Sequence, residues 1–317
     1  MIHADRVASG SSSEDGFLTP KPPFDFSKSL DFLREFTATR EELLIDDQSL
    51  TRAVSIGGQP IVFKIKSTGL IKNPRLKYTL YSERPLSSGI RDAVLDRISF
   101  FLSLSDDLEA FYRLGYGDVD FAPVLQKYYG LHHVKFITPF ECASWAVLSQ
   151  RYPMGAAQKV KQTIMEKFGT GLELDHHLYR AFPEPSRLAR ASAEELMPLV
   201  RNKRRVEFLI GVANAFSEID ERFLRTAKYD EVAAWLGKIN GIGESSSKLI
   251  MLRGLGRMEK LAVETRLLKA ASSVYGHGKP LTPLTQARFD QLAERYGPSK
   301  GYWAYYLRAS SKMSSVK

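Results

Sequence analysis

The chain has little cysteine and no long apolar run, because Cys142 is the only cysteine in 317 residues and no stretch of 18 apolar residues occurs. A single cysteine excludes an intrachain disulfide framework and a four-cysteine iron–sulfur cluster. Its apolar neighbours indicate that Cys142 is a buried small side chain rather than a nucleophile. No transmembrane span or basic-then-apolar signal pattern is present. We therefore expect an intracellular protein with no membrane partner, in the cytoplasm or nucleoid of a prokaryote or the nucleus of a eukaryote.

Histidine is also scarce, and the six histidines include the adjacent pairs His132-His133 and His176-His177. Neither pair has the i, i+4 spacing or the accompanying thiols of a zinc site. We therefore predict no transition metal, and we expect no cofactor.

Acidic residues are outnumbered, since 45 Lys and Arg face 36 Asp and Glu, which gives a net charge of +9. A basic protein favours a polyanionic partner, because each phosphate that a cation neutralises releases condensed counterions. The 44% hydrophobic and 11% aromatic content is that of a globular protein. The composition therefore favours a folded protein that binds nucleic acid, without identifying an activity.

The hydrophobic pattern divides the chain into three segments. Residues 1–22 are small, polar and proline-rich, which predicts a disordered or extended lead. Residues 23–125 begin with a short helical pattern and then alternate with period two, and Gly57-Gly58 can turn one strand into the next. We expect an antiparallel sheet of at least three strands, with helices, that serves as a structural platform. Residues 126–317 are almost entirely helical in pattern.

Two glycines separate two helical patterns within residues 232–253, where Gly241, Ile242 and Gly243 form a short turn. Glycines leave backbone N–H groups uncovered, and the helix that follows adds its positive end, so such a hairpin can hold a DNA phosphate. Ile239 and Ile242 would pin the two helices together from the inside. Most such turns merely connect helices, so the motif alone is weak evidence.

An acid follows this hairpin at the start of the next helical pattern, in the sequence Val263-Glu264-Thr265-Arg266. This spacing resembles the helix-hairpin-helix (HhH-GPD) DNA glycosylase superfamily, whose members remove damaged bases and usually carry aspartate where Glu264 stands. The resemblance extends over residues 24–308, and the segments 138–159, 182–196 and 296–308 are most like the 3-methyladenine DNA glycosylase II branch. It implies an α+β protein, with an N-terminal antiparallel sheet domain before a mostly helical, two-lobed glycosylase body whose C-terminal helix lines the base pocket.

The resemblance assigns a role to each candidate site residue. Glu264 would be the catalytic carboxylate, which stabilises positive charge on the sugar and orients water; the alternative is an acid that only favours a helix N-terminus. Arg151 and Tyr152 would be the wedge that fills the space of an extruded base, although an ordinary turn is the alternative. The remaining assignments are Gly241, Ile242, Gly243, Lys248 and Arg266 for the DNA backbone, Trp145, Ser245, Tyr302, Trp303 and Arg308 for the base pocket, and the carbonyls of Ile239 and Ile242 for a monovalent cation.

The expected activity is that of a monofunctional enzyme, because lyase relatives have lysine where this chain has Ser245. Alkylpurine enzymes of this branch often have one tryptophan at the position of Ser245 and another near Arg308, and both are absent here. We expect a monomeric protein that binds double-stranded DNA containing a damaged, alkylated base. The alternatives are a glycosylase for oxidised or deaminated bases, and a catalytically weak or inactive protein that binds DNA and senses damage.

Overall fold

A computed structural model describes residues 12–46, 48–261, 263, 265–276 and 284–312. Its first part is the predicted antiparallel sheet, whose five strands are β1 Ser12–Leu18, β2 Leu43–Ile45, β3 Ser49–Ile56, β4 Gln59–Ser67 and β5 Leu76–Ser82. Their order in the sheet is β1-β5-β4-β3-β2. The α+β class expected from the sequence is confirmed.

The β3–β4 hairpin turns at the glycine pair that the sequence indicates. Gly57 and Gly58 have φ values of +60° and +78°, and Ile56 pairs with Gln59 across the turn. Positive φ at both central residues is the geometry of a two-residue hairpin turn, and glycine adopts it without steric cost. This turn sets the register that places Ile61, Phe63 and Ile65 on one face of the sheet.

The lead segment is extended rather than disordered from Ser12 onward, because β1 pairs with β5 along its whole length. Residues 1–11 lie outside the described residues. Alternation is hard to see in a polar strand whose Phe17 is half exposed. Pairing with β5 therefore makes β1 an edge strand of the sheet, although the sequence of β1 does not predict a strand.

The sheet is covered on both faces. Helices α1 Phe26–Glu35 and α2 Ser88–Phe101 pack on one face. A second hairpin, β6 Thr170–Leu174 and β7 His177–Ala181, packs on Ala53, Val62 and Tyr81 of the other. Sequence patterns did not predict this hairpin, whose turn residues Asp175 and His176 have positive φ without being glycine.

The remaining helices form two lobes, each with its own apolar core. One lobe is built from the helices within residues 139–254, and the other from the helices within residues 109–127 and 265–312. The helices within residues 109–127, which fall almost entirely before residue 126, pack with the C-terminal helices. The bounds are α3 Glu109–Tyr116, α4 Ala122–Lys127, α5 Pro139–Leu148, α6 Met154–Phe168, α7 Pro185–Ala189, α8 Ala193–Val200, α9 Lys203–Glu218, α10 Glu221–Thr226, α11 Tyr229–Gly237, α12 Glu244–Leu249, the π-helical turn Ile250–Gly254, α13 Thr265–Tyr275, α14 Gln286–Glu294 and α15 Lys300–Lys312, with 3₁₀ turns at Arg40–Glu42 and Gly297–Ser299.

A buried charge cluster joins the sheet to the first lobe; it consists of Glu42, Arg52, Glu141 and Lys161. Arg52 donates to Glu42 at 2.8 Å and to Glu141 at 2.9 Å, and Lys161 donates to Glu141 at 2.6 Å and also contacts Glu42. Two basic and two acidic side chains are thus hydrogen-bonded to one another where water is excluded.

Cys142 is completely buried in α5, and burial raises the pKa of its thiol. The prediction that Cys142 is a buried small side chain is therefore confirmed, and a thiol with a raised pKa is a poor nucleophile. In the described part of the chain, none of the helices combines the length and the apolar character needed to cross a bilayer.

Candidate nucleic-acid interface

The hairpin, residues 240–243, joins α11 to α12 and has a defined backbone. Ile242 N–H donates to the carbonyl of Ile239 at 3.0 Å, and both isoleucine side chains are buried between the helices, as expected. Gly241 has φ of +92°, and a Cβ there would lie 2.4 Å from Cγ of Phe208. Glycine is therefore required at position 241 by both the backbone and the neighbouring ring. A monovalent cation on the carbonyls of Ile239 and Ile242 stays a prediction.

Polar side chains of α12 face outward beside this hairpin. Ser245 is exposed. Lys248 forms an i, i+4 pair with Glu244 at 2.6 Å, and both side chains remain accessible. An exposed pair of this kind is weak and exchanges readily with a phosphate. The arrangement is compatible with the predicted role of Lys248 at a DNA backbone.

The α5–α6 turn, residues 149–153, carries the predicted wedge. Arg151 is exposed and has φ of +46°, an uncommon conformation for a residue other than glycine. Tyr152 is 38% exposed, and the Arg205 guanidinium lies over its ring at 4.6 Å. Both predicted wedge residues therefore project from the surface, although the motif in which they lie is also compatible with an ordinary turn.

This turn lies against the hairpin. The Gln150 amide nitrogen donates to the carbonyl of Gly241 at 2.6 Å and to Ser246 Oγ at 3.1 Å. Arg205, at the start of α9, donates to the carbonyl of Gln150 at 3.1 Å. Sequence reasoning identified the turn and the hairpin separately and missed Gln150 and Arg205, since no local pattern reports a contact across 91 residues.

Three aromatic residues predicted to line a base pocket are buried in this structure. Trp145 lies in the core of the first lobe, whereas Tyr302 and Trp303 lie in the core of the second, and all three are at most 5% exposed. Trp303 Nε1 donates to the hydroxyl of Tyr275 at 2.9 Å, which satisfies its polar atom inside the core. Large rings on central helices are buried by packing, so these rings do not form one shared wall.

Arg308 lies near Arg253 and His133, where α1, the π-helical turn and α15 meet. Arg253 is buried between the rings of Phe32 and Phe36, at 4.6 and 4.5 Å, and its Nη1 lies 3.1 Å from His133 Nε2. Burial lowers the pKa of His133 well below its ordinary value, and the charges of Arg253 and Arg308 lower it further. The imidazole is therefore neutral at physiological pH and can accept from the guanidinium.

A cleft of about 780 Å³ opens between α13, α4, the end of α1 and the end of α15. Helix α13 begins at Thr265, the residue that follows Glu264 in the sequence. Glu264 itself lies outside the described residues. Side chains that line the cleft include Glu35, Lys127, Arg266, Lys269, Ser310 and Ser311.

Three of these lining side chains are cations, and Arg266 and Lys269 lie one turn apart on α13. Arg266 was predicted to contact DNA, and its spacing to Lys269 is the sequence signal that would have identified the second cation. Lys127 and Glu35 come from distant segments and had no such signal. The cleft can thus attract a polyanion to the helix that Glu264 precedes.

Two curated relatives share sequence with most of the chain, although no family model matches it. A DNA-3-methyladenine glycosylase of Bacillus subtilis is 25% identical over 237 residues, which cover 73% of this chain and 76% of the relative. DNA-3-methyladenine glycosylase 2 of Escherichia coli is 24% identical over 286 residues, which cover 90% of this chain and 93% of the relative.

Solved structures share the fold at lower identity. A 3-methyladenine DNA glycosylase from Archaeoglobus fulgidus has a TM-score of 0.77 at 19% identity, and the match covers 95% of this chain and 100% of that one. An 8-oxoguanine glycosylase/lyase from Clostridium acetobutylicum, bound to double-stranded DNA with cytosine opposite 8-oxoG, has a TM-score of 0.68 at 16% identity, covering 96% and 99%. The two sequence relatives and the shared fold together support the helix-hairpin-helix DNA glycosylase superfamily, and its 3-methyladenine branch, that the sequence motifs indicate.

Proposed function

We propose that this protein is a monofunctional DNA glycosylase that extrudes a damaged base from duplex DNA and hydrolyses its N-glycosidic bond, with Glu264 as the catalytic carboxylate. The observation that carries the proposal is the glycine hairpin, held in place by Phe208 and Gln150, with an exposed arginine and tyrosine on the adjoining turn. A phosphate site beside a projecting planar side chain is what base extrusion requires, because the backbone must be held while the vacated stack is filled.

The chemistry assigned to Glu264 follows from the charge of the transition state. Cleavage of an N-glycosidic bond leaves positive charge on the deoxyribose, and a nearby carboxylate stabilises it and can deprotonate the attacking water. Glutamate carries the same charge as the aspartate usual in the family, on a side chain longer by one methylene group. Glu264 directly precedes α13 in the sequence, and α13 lines the cleft; this position supports the role.

A lyase step needs an amine that attacks the sugar and forms a Schiff base. Position 245 carries a serine hydroxyl, and the nearest lysine in sequence, Lys248, is paired with Glu244. We therefore propose hydrolysis to an abasic site without strand cleavage.

The names of both sequence relatives favour an alkylated base such as 3-methyladenine as the substrate. A second candidate, an oxidised or deaminated base, is favoured by the lining of the cleft. A cationic alkylpurine is bound well by exposed aromatic faces and by carboxylates. The described lining of the cleft includes Lys127, Arg266 and Lys269 but one carboxylate, Glu35, and no aromatic ring. Carbonyl-rich neutral bases suit such a lining better than cationic ones.

The decisive experiment uses duplexes that each carry one lesion, which is a methylated, ethenylated, deaminated or oxidised base. It measures base release, and it measures strand cleavage before and after alkaline treatment. We expect release of one class, with strand breaks only after alkali. The Glu264→Gln variant should lose roughly 100-fold or more of the rate while still binding the lesion duplex. Glu231→Gln, which changes an exposed carboxylate of α11, is the matched control and should retain the native rate.

Other results would contradict parts of this proposal. Strand cleavage without alkali would show a lyase. Tight binding of damaged duplexes with no release of any base would favour the damage-sensing alternative, and full activity of Glu264→Gln would exclude Glu264 as the carboxylate.

A further inference from the structure

The Gln150 side chain connects two parts of the surface that the proposed function uses. Its amide nitrogen must face Gly241, because a carbonyl oxygen accepts hydrogen bonds and cannot donate them. The distances of 2.6 Å to that carbonyl and 3.1 Å to Ser246 Oγ join the α5–α6 turn to both the hairpin and α12. A residue of the turn thus cross-links two loops that are separated by 91 positions in the sequence.

Arg205 also contacts the α5–α6 turn. Its Nη2 donates to the carbonyl of Gln150 at 3.1 Å, and its guanidinium covers the Tyr152 ring at 4.6 Å. Arg205 is half-buried at the N-terminus of α9, where the Asn202 side chain accepts a hydrogen bond from its backbone N–H. The turn is therefore fixed by a side chain anchored in regular structure.

One further contact places α9 and the hairpin in the same rigid surface. The Phe208 ring, one turn after Arg205 on α9, lies where a Cβ at Gly241 would be, and the Arg204 guanidinium covers that ring at 5.2 Å. The turn, the hairpin and the start of α9 thus contact one another in pairs, which leaves little freedom for one to move without the others.

We propose that Gln150 and Arg205 are positioning residues that make the α5–α6 turn and the phosphate-binding hairpin one preorganised unit. This inference rests on the proposed function, because it assumes that Arg151 and Tyr152 enter the base stack while the hairpin holds the backbone. Fixing both in advance removes the ordering cost from the extrusion step. The Arg151 backbone, with φ of +46°, is a conformation that such an external brace can maintain.

The predicted effect depends on how much work extrusion requires. A lesion that pairs and stacks normally costs more to extrude than the same lesion opposite a mismatched base. Loss of the brace should therefore slow excision of the well-paired lesion by about tenfold, the worth of one or two hydrogen bonds, and slow that of the mispaired lesion by less than about threefold.

The experiment measures single-turnover excision of one lesion in both pairing contexts for native protein, Gln150→Ala, Arg205→Ala and the double variant. Gln150→Glu keeps the size of the side chain but directs a carboxylate oxygen at the Gly241 carbonyl, and it should be at least as slow as Gln150→Ala. Two matched controls, Gln162→Ala on α6 and Lys203→Ala at the exposed start of α9, should keep the native ratio between contexts. Thermal unfolding of each variant establishes that it is folded at the assay temperature.

Two results would overturn the inference: equal slowing in both contexts, which indicates general disruption, or no slowing in either. If the native protein releases no base at all, the proposed function fails, and the brace is tested by binding alone. The ratio of affinities for an abasic-analogue duplex and an intact duplex should then fall in Gln150→Ala, and an unchanged ratio would refute the brace.

Discussion

Two groups of charged residues in this protein have opposite surroundings. The buried charge cluster between the sheet and the first lobe contains side chains that are at most 3% exposed and are paired with one another. Around the cleft and the hairpin, Lys127, Arg266, Lys269 and Lys248 are exposed or half-exposed. The same residue types therefore stabilise a junction in one place and remain available to a polyanion in the other.

The environment of a charged side chain determines whether it contributes to stability or to binding. A buried ion has lost its hydration, so removal of its partner leaves an uncompensated charge in a medium that cannot solvate it. An exposed ion keeps its hydration, so removal of its partner changes the free energy of unfolding little. It can, however, exchange a counterion for a phosphate. Substitutions in the first group should thus alter stability, and those in the second should alter DNA affinity.

The largest effect is expected for Lys161→Met, which leaves two buried carboxylates with one guanidinium. We expect the free energy of unfolding to fall by about 3–5 kcal/mol, measured by urea denaturation. The matched control, Lys260→Met, breaks an exposed pair with Asp230 and should change stability by less than about 1 kcal/mol. Combining Lys161→Met with Glu42→Gln should restore part of the loss; a double variant less stable than Lys161→Met would refute the electrostatic explanation.

The pH dependence of stability should distinguish the two carboxylates of the cluster. Burial raises the pKa of Glu42 to about 7 from 4.5, although Lys161 opposes the shift. Between these values the native state retains a proton that the unfolded chain has released, so this contribution makes stability fall as pH rises from about 4.5 to 7.

Burial alone would also raise the pKa of Glu141, but Arg52 and Lys161 outweigh it and lower the pKa, so its contribution is lost as pH falls. Urea denaturation at pH 5.5 and 7.5 is the measurement. Relative to native protein, Glu42→Gln should become comparatively more stable at the higher pH, and the opposite trend would contradict this assignment.

In the exposed group, Arg266→Gln and Lys269→Gln should weaken DNA binding while the free energy of unfolding changes by less than about 0.5 kcal/mol. Each lost phosphate contact should lower the slope of log affinity against log salt by about one. Fluorescence titration of a duplex at several salt concentrations measures both quantities. Lys72→Gln, an exposed lysine in the β4–β5 connection, is the control, and an equal change there would show that net charge alone determines affinity.

The smallest effect concerns the exposed pair of Lys248 and Glu244. Lys248→Gln should change stability by no more than about 0.5 kcal/mol, as for other i, i+4 pairs, and should weaken DNA binding slightly. Glu244→Gln frees the same lysine and should strengthen binding. Weaker binding by both variants would show that the pair itself, rather than the lysine, is the contact.

Local backbone requirements explain which parts were predictable from the sequence. Gly57-Gly58 and Gly241 mark positions with positive φ, which glycine adopts most readily, so their turns could be inferred directly. The β6–β7 turn uses Asp175 and His176 at positive φ, so that hairpin had no glycine signal and was missed.

The direction of side chains on buried helices was the least predictable feature. All ten residues of α5 are buried, so hydrophobic periodicity could not show which core Trp145 enters. The same holds for residues 301–307 of α15, which include Tyr302 and Trp303. A helix that is apolar on every side has no face that the sequence alone can assign.

The antiparallel sheet, the helical body, the glycine hairpin and the position of Glu264 after it could be predicted from the amino-acid sequence, because each depends on neighbouring residues. The hydrogen bond from Gln150 to Gly241, the place of Lys127 beside Arg266 at one cleft and the shared partners of Arg52 and Lys161 could be seen only in the folded structure. Those contacts join residues far apart in the chain, and packing of whole elements brings them together where no local pattern records the meeting.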